Sequence, residues 1–251
     1  MRIVKKVSKT LWLIRKAFFS GFIKLHYSQF GEDIILKELL KKERIKNYKG
    51  FFVDVGCYHP KKFSNTYMLY KSGWSGINID MEADKIRLFN IARPRDWNVL
   101  SPISDKKEKV HVYRFGKYGL GSTIDHKFAV DTGNAIYDTT ELYSKTLDEV
   151  IEESPYRGKQ IDVLSIDVEG MDYKVLSSLN LETYRPKIII IESHLRSIEE
   201  ILNTDIYQLL KNKGCVEELD VLFSYFYIAK LGYIKKKRKC TSQAMDNKQS
   251  L

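Results

Sequence analysis

Four acids in this 251-residue chain each close a short apolar run, the arrangement that brings carboxylates to the ends of buried strands: Asp54 in Phe51-Phe52-Val53-Asp54-Val55, Asp80 in Gly76-Ile77-Asn78-Ile79-Asp80, Asp167 after Ile161–Ile166, and Glu192 after Lys187–Ile191. Gly56 follows the first run at once. Without a Cβ it lets backbone come close to a ligand. Asp80, 24 residues beyond Gly56, can accept hydrogen bonds from both hydroxyls of a ribose. The spacing therefore points to a nucleoside-bearing ligand. Cys57, Tyr58, His59 and Pro60 stand where a pyrophosphate-binding loop would carry further glycines, and Pro60 has no N–H to donate. S-adenosylmethionine has no phosphate and makes no such demand, so these residues favour it over NAD.

The elements that must position these acids follow from the patterning. Short apolar runs near 51–55, 76–80, 96–104, 161–167 and 187–192 read as strands. Segments 31–43, 64–72, 84–92, 147–153, 170–179 and 197–212 read as helices. A short extra strand is expected at 111–115, and two more near 215–221 and 224–230, the last pair antiparallel across a short turn. Residues 116–139, rich in Gly, Asp and Thr, read as a long loop or lid. Strands alternating with helices imply a mostly parallel sheet covered on both faces. Ligands of such sheets lie at the carboxyl ends of the strands, where the order reverses. That rule selects Asp54–Tyr58, Asp80–Glu82, Ser104–Asp105, Asp167–Gly170 and Glu192–His194.

Charge separates the ends from the body. The net charge is +10, yet residues 1–31 hold Arg2, Lys5, Lys6, Lys9, Arg15, Lys16 and Lys24 without an acid, and 230–251 hold seven basic residues against Asp246. The expected division is a basic amphipathic helix over 1–26, a catalytic domain over 27–231 and a basic, disordered tail over 232–251. Val4, Val7, Leu11, Ile14, Phe18 and Phe22 repeat at helical spacing among the lysines and arginines. Such a helix fits an anionic membrane surface, or packs on its own domain or a twin subunit. Basic ends on a less basic body do not suggest a nucleic-acid partner. Three cysteines without a CxxC pair suit a reduced, cytoplasmic protein, peripheral to the inner face of a membrane at most. No run of apolar residues is long enough to span a bilayer.

Taken in order, Tyr27–Asp33 (YSQFGED), Phe51–Pro60 (FFVDVGCYHP), Ser64-Asn65-Thr66, Gly73–Asp80, Arg93-Pro94-Arg95-Asp96, Ile166–Gly170 and Arg185-Pro186-Lys187 closely resemble the FkbM family of S-adenosylmethionine-dependent methyltransferases. The resemblance covers roughly residues 27–195. It implies a Rossmann-like class I methyltransferase fold, an α/β architecture with a mostly parallel seven-stranded sheet and an antiparallel final strand. It implies S-adenosylmethionine as cofactor and O-methylation of a hydroxyl on a sugar, glycan or related natural product. In such a fold Asp54 and Gly56 face the methionine part of the cofactor and Asp80 the ribose. Met81 packs on the adenine, Ser104 and Asp105 approach it, and Gln29 and Asn65 help hold the cofactor. Tyr58 replaces the usual Asn of the family and Asp80-Met81 the usual Glu-Pro.

Methyl transfer to an alcohol needs the oxygen in line with the S–CH₃ bond and an acceptor for its proton. Asp167, Glu169, Glu192, His194 and His59 are the candidates, with Asp167 or His194 favoured as base and Glu169 beside them. The reading takes no metal into the site; a divalent cation on Asp167, Glu169 and Glu192 is the alternative. Plainer roles stay open: Asp54 as a turn cap, Glu169-Gly170 as a helix start, and either histidine as structural. N- or C-directed methylation, an NAD-dependent oxidoreductase on the same fold and a non-catalytic membrane-surface module also remain open.

Overall fold

The computed structural model describes residues 2–19, 25–42, 48–116, 121–192, 197–213, 216–222 and 226–231. In chain order the elements are α1 (Arg2–Phe19), α2 (Glu32–Lys42), β1 (Phe51–Val55), α3 (Tyr67–Lys71), β2 (Ser75–Asp80), α4 (Ala83–Ala92) and β3 (Trp97–Leu100). They continue with β4 (Lys109–Arg114), α5 (His126–Asp131), β5 (Asp138–Tyr143), α6 (Leu147–Glu153), β6 (Val163–Ile166), α7 (Asp172–Ser177) and α8 (Leu181–Tyr184). The last are β7 (Ile188–Glu192), α9 (Ile198–Leu202), α10 (Asp205–Asn212), β8 (Val216–Leu222) and β9 (Phe226–Leu231). The expected basic tail, 232–251, lies outside the described residues.

The main sheet runs β3-β2-β1-β6-β7-β9-β8. The five strands from β3 to β7 are parallel, and β9 is antiparallel to both β7 and β8. The order reverses between β1 and β6, so a crevice opens there at the strands' carboxyl ends. The register brings whole rows of one character together. Ile77, Val53, Leu164 and Ile189 stand in one row, and Ile79, Val55, Ile166 and Ile191 in another, on the same face. These rows pack against Leu147, Val150 and Ile151 of α6, Val175 and Leu176 of α7, and Leu210 of α10. The opposite face carries Phe52, Val163, Ile188 and Ile190 under Leu36 and Leu39 of α2, Leu69 of α3 and Trp74. Burying each such side chain contributes about 1.5–3 kcal/mol, so the two apolar faces hold the sheet between its helices.

Between the apolar rows of that second face runs a polar one: Asn98, Asn78, Asp54 and Ser165 are register neighbours. A buried polar row must find hydrogen bonds, and it finds them in the connecting segments. Asn78 Nδ2 donates to Asp96 and Asn98. Asn65 Nδ2 donates to Ser165 Oγ at 3.2 Å, and Thr66 Oγ1 to Asp54 Oδ2 at 2.5 Å. Arg93 is fully buried and binds Pro60 O, Thr66 Oγ1, Asn78 Oδ1 and Ser64 Oγ. The 58–66 segment is thereby nailed to the sheet.

Some elements differ from the sequence expectation. Residues 116–139 are not one loop: Asp125 caps α5 by accepting from Lys127 N and Phe128 N, and β5 begins at Asp138 and pairs antiparallel with β4. β5 was missed because its Asp-Thr-Thr-Glu-Leu-Tyr sequence lies in an exposed two-stranded sheet and has no apolar face to mark it. The helix expected over 197–212 breaks in two where Thr204 accepts from Tyr207 N and starts α10 afresh. The helix expected over 64–72 shortens to α3, because Ser64 and Thr66 spend their side chains on the polar row. The capping box Thr146/Glu149 starts α6 where the pattern put it.

Candidate functional site

A cavity of about 190 Å³ opens at the carboxyl ends of β1, β2, β6 and β7. Its floor is the turn after β1. Gly56 has φ +83°, and a Cβ there would lie 1.7 Å from the carbonyl oxygen of Asp167. Gly56 N and Cys57 N both donate to Ile79 O, and Asp167 N donates to Val55 O. The turn is thus wedged between the ends of β2 and β6, and only glycine fits. Cys57 is buried, which pushes its thiol well up and leaves it inert.

Gly56, Tyr58, Asn65, Asp80, Met81, Asp167, Glu169 and Glu192 line the cavity, as the sequence placed them. Gln29 reaches it from further away: Asp33 accepts from Tyr27 N and Ser28 Oγ, and Ser64 N donates to Tyr27 O. These bonds fold 27–33 against the 64–66 segment with Gln29 facing inward. Asp54 does not line the cavity. It lies beneath it, bonded to Thr66 and beside Arg93, with its carboxyl raised by burial. Ser104 and Asp105 are also absent from the lining. Ser104 Oγ donates to Asp105 and Ser104 N to Lys145 O, while Ser101, Pro102 and Ile103 line the cavity instead. His59 accepts from Lys61 N and Lys62 N in its own turn and is not part of the wall. His194 lies outside the described residues.

Several wall residues went unforeseen. Lys85 Nζ lies 2.9 Å from Glu82 and 3.4 Å from Asp80. Ser122 Oγ donates to Glu82, and Thr123 Oγ1 donates to Glu169 O at 2.8 Å. Thr123 also exchanges backbone hydrogen bonds with Tyr113 of β4. Gly121, Ser122 and Ile124 are thus drawn over the cavity as a roof tied to both walls. Only the turn chemistry of Asp125 could have signalled this from sequence.

Burial raises the Asp80 carboxyl to about 6 against the pull of Lys85. On the other wall one carboxylate oxygen from each of Asp167, Glu169 and Glu192 lies within 4.8 Å of the others, close enough to hold a divalent cation. Burial first, then the Glu192 and Glu169 charges, hold Asp167 well above the ordinary carboxylate range. Glu192 is raised by burial. Asp172 is raised to about 7 by burial and by Asp167. Glu169 itself has φ +52°, a left-handed backbone that costs a non-glycine residue on the order of 1 kcal/mol.

The methyltransferase FkbM domain matches residues 54–217, more than half of the chain. The chain belongs to this family. It is an S-adenosylmethionine-dependent methyltransferase. The match begins at Asp54 and takes in both walls of the cavity. Solved structures similar to this FkbM methyltransferase include an O-methyltransferase from Bacillus cereus in complex with S-adenosylhomocysteine, at 12% identity, TM-score 0.46, covering 89% of this chain and 90% of the other. Another is a TehB-like S-adenosylmethionine-dependent methyltransferase from Corynebacterium glutamicum, at 11% identity, TM-score 0.41, covering 92% and 98%. A third is the MycE methyltransferase of the mycinamycin pathway with Mg and S-adenosylhomocysteine, at 12% identity, TM-score 0.41, covering 81% of this chain and 50% of the other. Among curated proteins, no sequence matches the chain significantly. No helix among the described residues is long and apolar enough to cross a membrane. The acid-rich cavity suits the family's cofactor, whose sulfonium and ammonium are both cationic, and opposes a pyrophosphate.

Proposed function

We propose that this methyltransferase moves the methyl group of S-adenosylmethionine onto a hydroxyl of a sugar, glycan or related natural product, with Asp167 as general base. The observation that carries the reading is the junction of Gly56 and Asp167. The turn that takes the methionine part of the cofactor touches the residue whose carboxylate heads the acid cluster. Asp80 receives the ribose hydroxyls, Met81 and Ser101–Ile103 flank the adenine, and Gln29, Tyr58 and Asn65 close on the cofactor from the β1 side. The acceptor oxygen attacks the methyl carbon, the C–S bond breaks, and S-adenosylhomocysteine leaves neutral at sulfur. The hydroxyl proton passes to Asp167. Burial and Glu192 make the ionised Asp167 the stronger base, and the cationic sulfonium and ammonium of the bound cofactor favour that ionised form.

Asp167→Asn tests it, in a screen of sugars and lipid-linked glycans with labelled cofactor. Turnover at saturating cofactor should fall about 10²–10³-fold, with cofactor binding still detectable by calorimetry. Unchanged turnover would remove Asp167 from the chemistry, and methyl recovered on nitrogen or carbon would remove the hydroxyl. The spacing of the three carboxylates supports a second reading, in which a divalent cation on Asp167, Glu169 and Glu192 acidifies the hydroxyl. Full activity after exhaustive chelation separates the base reading from that one.

A further inference from the structure

Every side chain of α1 from Ser8 to Phe18 is exposed to solvent. Among them are Leu11 at 62%, Trp12 at 54% and Phe18 at 79%. Leu11, Ile14 and Phe18 fall on one stripe by the helical period, and Val4 and Val7 continue that spacing in the sequence. A helix that belongs against its own domain would bury this stripe; here nothing in the described residues covers it. Lys9 and Lys16 fall away from the stripe, Arg15 flanks it, and Lys16 Nζ sits 4.8 Å from the Trp12 ring. No acid occurs anywhere in residues 1–31.

We infer that α1 is a docking helix for an anionic lipid surface, lying along it with the Leu11–Ile14–Phe18 stripe in the headgroup–acyl boundary. The charge decides among occupants. A second copy of α1 would set one acid-free basic helix against another. An anionic bilayer takes the apolar stripe and the cations at once. The helix spans about 27 Å, long enough to lie on a surface, and it is too basic to enter one. An indole exposed on such a helix suits the interface, where one edge is apolar and the other wet. α1 ends ten residues before Gln29 of the cavity wall, so docking holds the active site near the bilayer.

The test uses the full chain and sedimentation with vesicles of neutral phosphatidylcholine, with or without about 30% phosphatidylglycerol. The expected result is about tenfold more binding to the anionic vesicles, falling steeply between roughly 0.05 and 0.5 M salt. Leu11→Asp with Phe18→Asp should abolish binding, and Lys9→Glu with Lys16→Glu should weaken it strongly. Because these side chains are exposed, both variants should keep their affinity for S-adenosylmethionine by calorimetry, which reports the folded domain independently of the membrane. Equal binding to neutral vesicles, or binding that survives both double substitutions, overturns the inference. So does a dimer that dissociates on Leu11→Asp with Phe18→Asp while no vesicle binding is seen, since the stripe's occupant is then a second copy.

Discussion

The two walls of the cavity handle negative charge in opposite ways. On the β1–β2 side Asp80 and Glu82 share Lys85, and beneath that wall Asp54 lies beside the buried Arg93. Those residues also carry hydrogen bonds that hold the turn and the 58–66 segment in place. On the β6–β7 side Asp167, Glu169 and Glu192 converge, and like charge helps hold Asp167 above its ordinary range. The first wall is built for a fixed shape. The second gathers carboxylates that a cationic cofactor or a proton would stabilise. The proposed function thus divides recognition and chemistry between a wall paired with Lys85 and a wall of converging acids.

The largest way to break that division is to part the walls at their joint. Gly56→Ala puts a methyl where the Asp167 carbonyl oxygen already is, at a positive φ. The expected loss is about 4 kcal/mol or more of stability, with cofactor binding abolished in the residual fold, checked by chemical denaturation and calorimetry. Arg93→Met removes the buried cation beside Asp54 and the donors to Pro60 O, Thr66 Oγ1, Asn78 Oδ1 and Ser64 Oγ beneath the first wall. A cost of about 3 kcal/mol is expected in urea unfolding; a neutral outcome would mean that the polar row does not need this charge.

The pH dependence sharpens the comparison. Asp80 rises from 3.8 to about 6, and Asp96 likewise, chiefly by burial. Between pH 4 and 6 the folded state therefore holds protons that the unfolded state has released. Stability is fullest below the unfolded value and is lost as pH rises through the folded one. Asp80 alone should contribute about 3 kcal/mol to that fall in the cofactor-free enzyme, measured by thermal unfolding from pH 4 to 7. Cofactor affinity should move the other way, rising through pH 6 as Asp80 ionises to receive the ribose. The smallest effect is Asp80→Asn. It should cost about 2 kcal/mol of cofactor affinity, roughly thirtyfold, while turnover at saturating cofactor stays near normal. A large loss of turnover instead would erase the proposed division of labour.

Legibility followed local pattern. Strand ends announce themselves because a buried run must stop at a polar residue or a glycine, which is why Asp54, Gly56, Asp80, Asp167 and Glu192 could be picked out. The polar row beneath the cavity was not legible. Parallel register alone makes Asn78, Asp54 and Ser165 neighbours, and Thr66 and Arg93 reach them from the connecting segments by side-chain hydrogen bonds. Asp54 looked like a wall residue and is a buried strut, because the alternation that packs Val53 and Val55 against α6 and α7 turns Asp54 to the other face, where Thr66 binds it. Ser104 and Asp105 were two or three residues late because β3 ends at Leu100, and Ser101 N is captured by Asp80 O. The roof over the cavity depends on a weakly patterned hairpin pairing with its own loop, which no single segment encodes.

By itself the sequence determined the class of sheet, the turn at Gly56, the acids at the strand ends, the family, and the basic amphipathic start. These are local: they need only periodicity, a missing Cβ and the order of segments. The tertiary structure alone decided that Asp167, Glu169 and Glu192 converge, that Lys85 pairs with both Asp80 and Glu82, that Ser122 and Thr123 bind the roof to both walls, and that no described residue covers the stripe of α1. Each of these depends on which distant groups share a low-dielectric space or fail to meet at all. That is a property of packing, not of any stretch of chain.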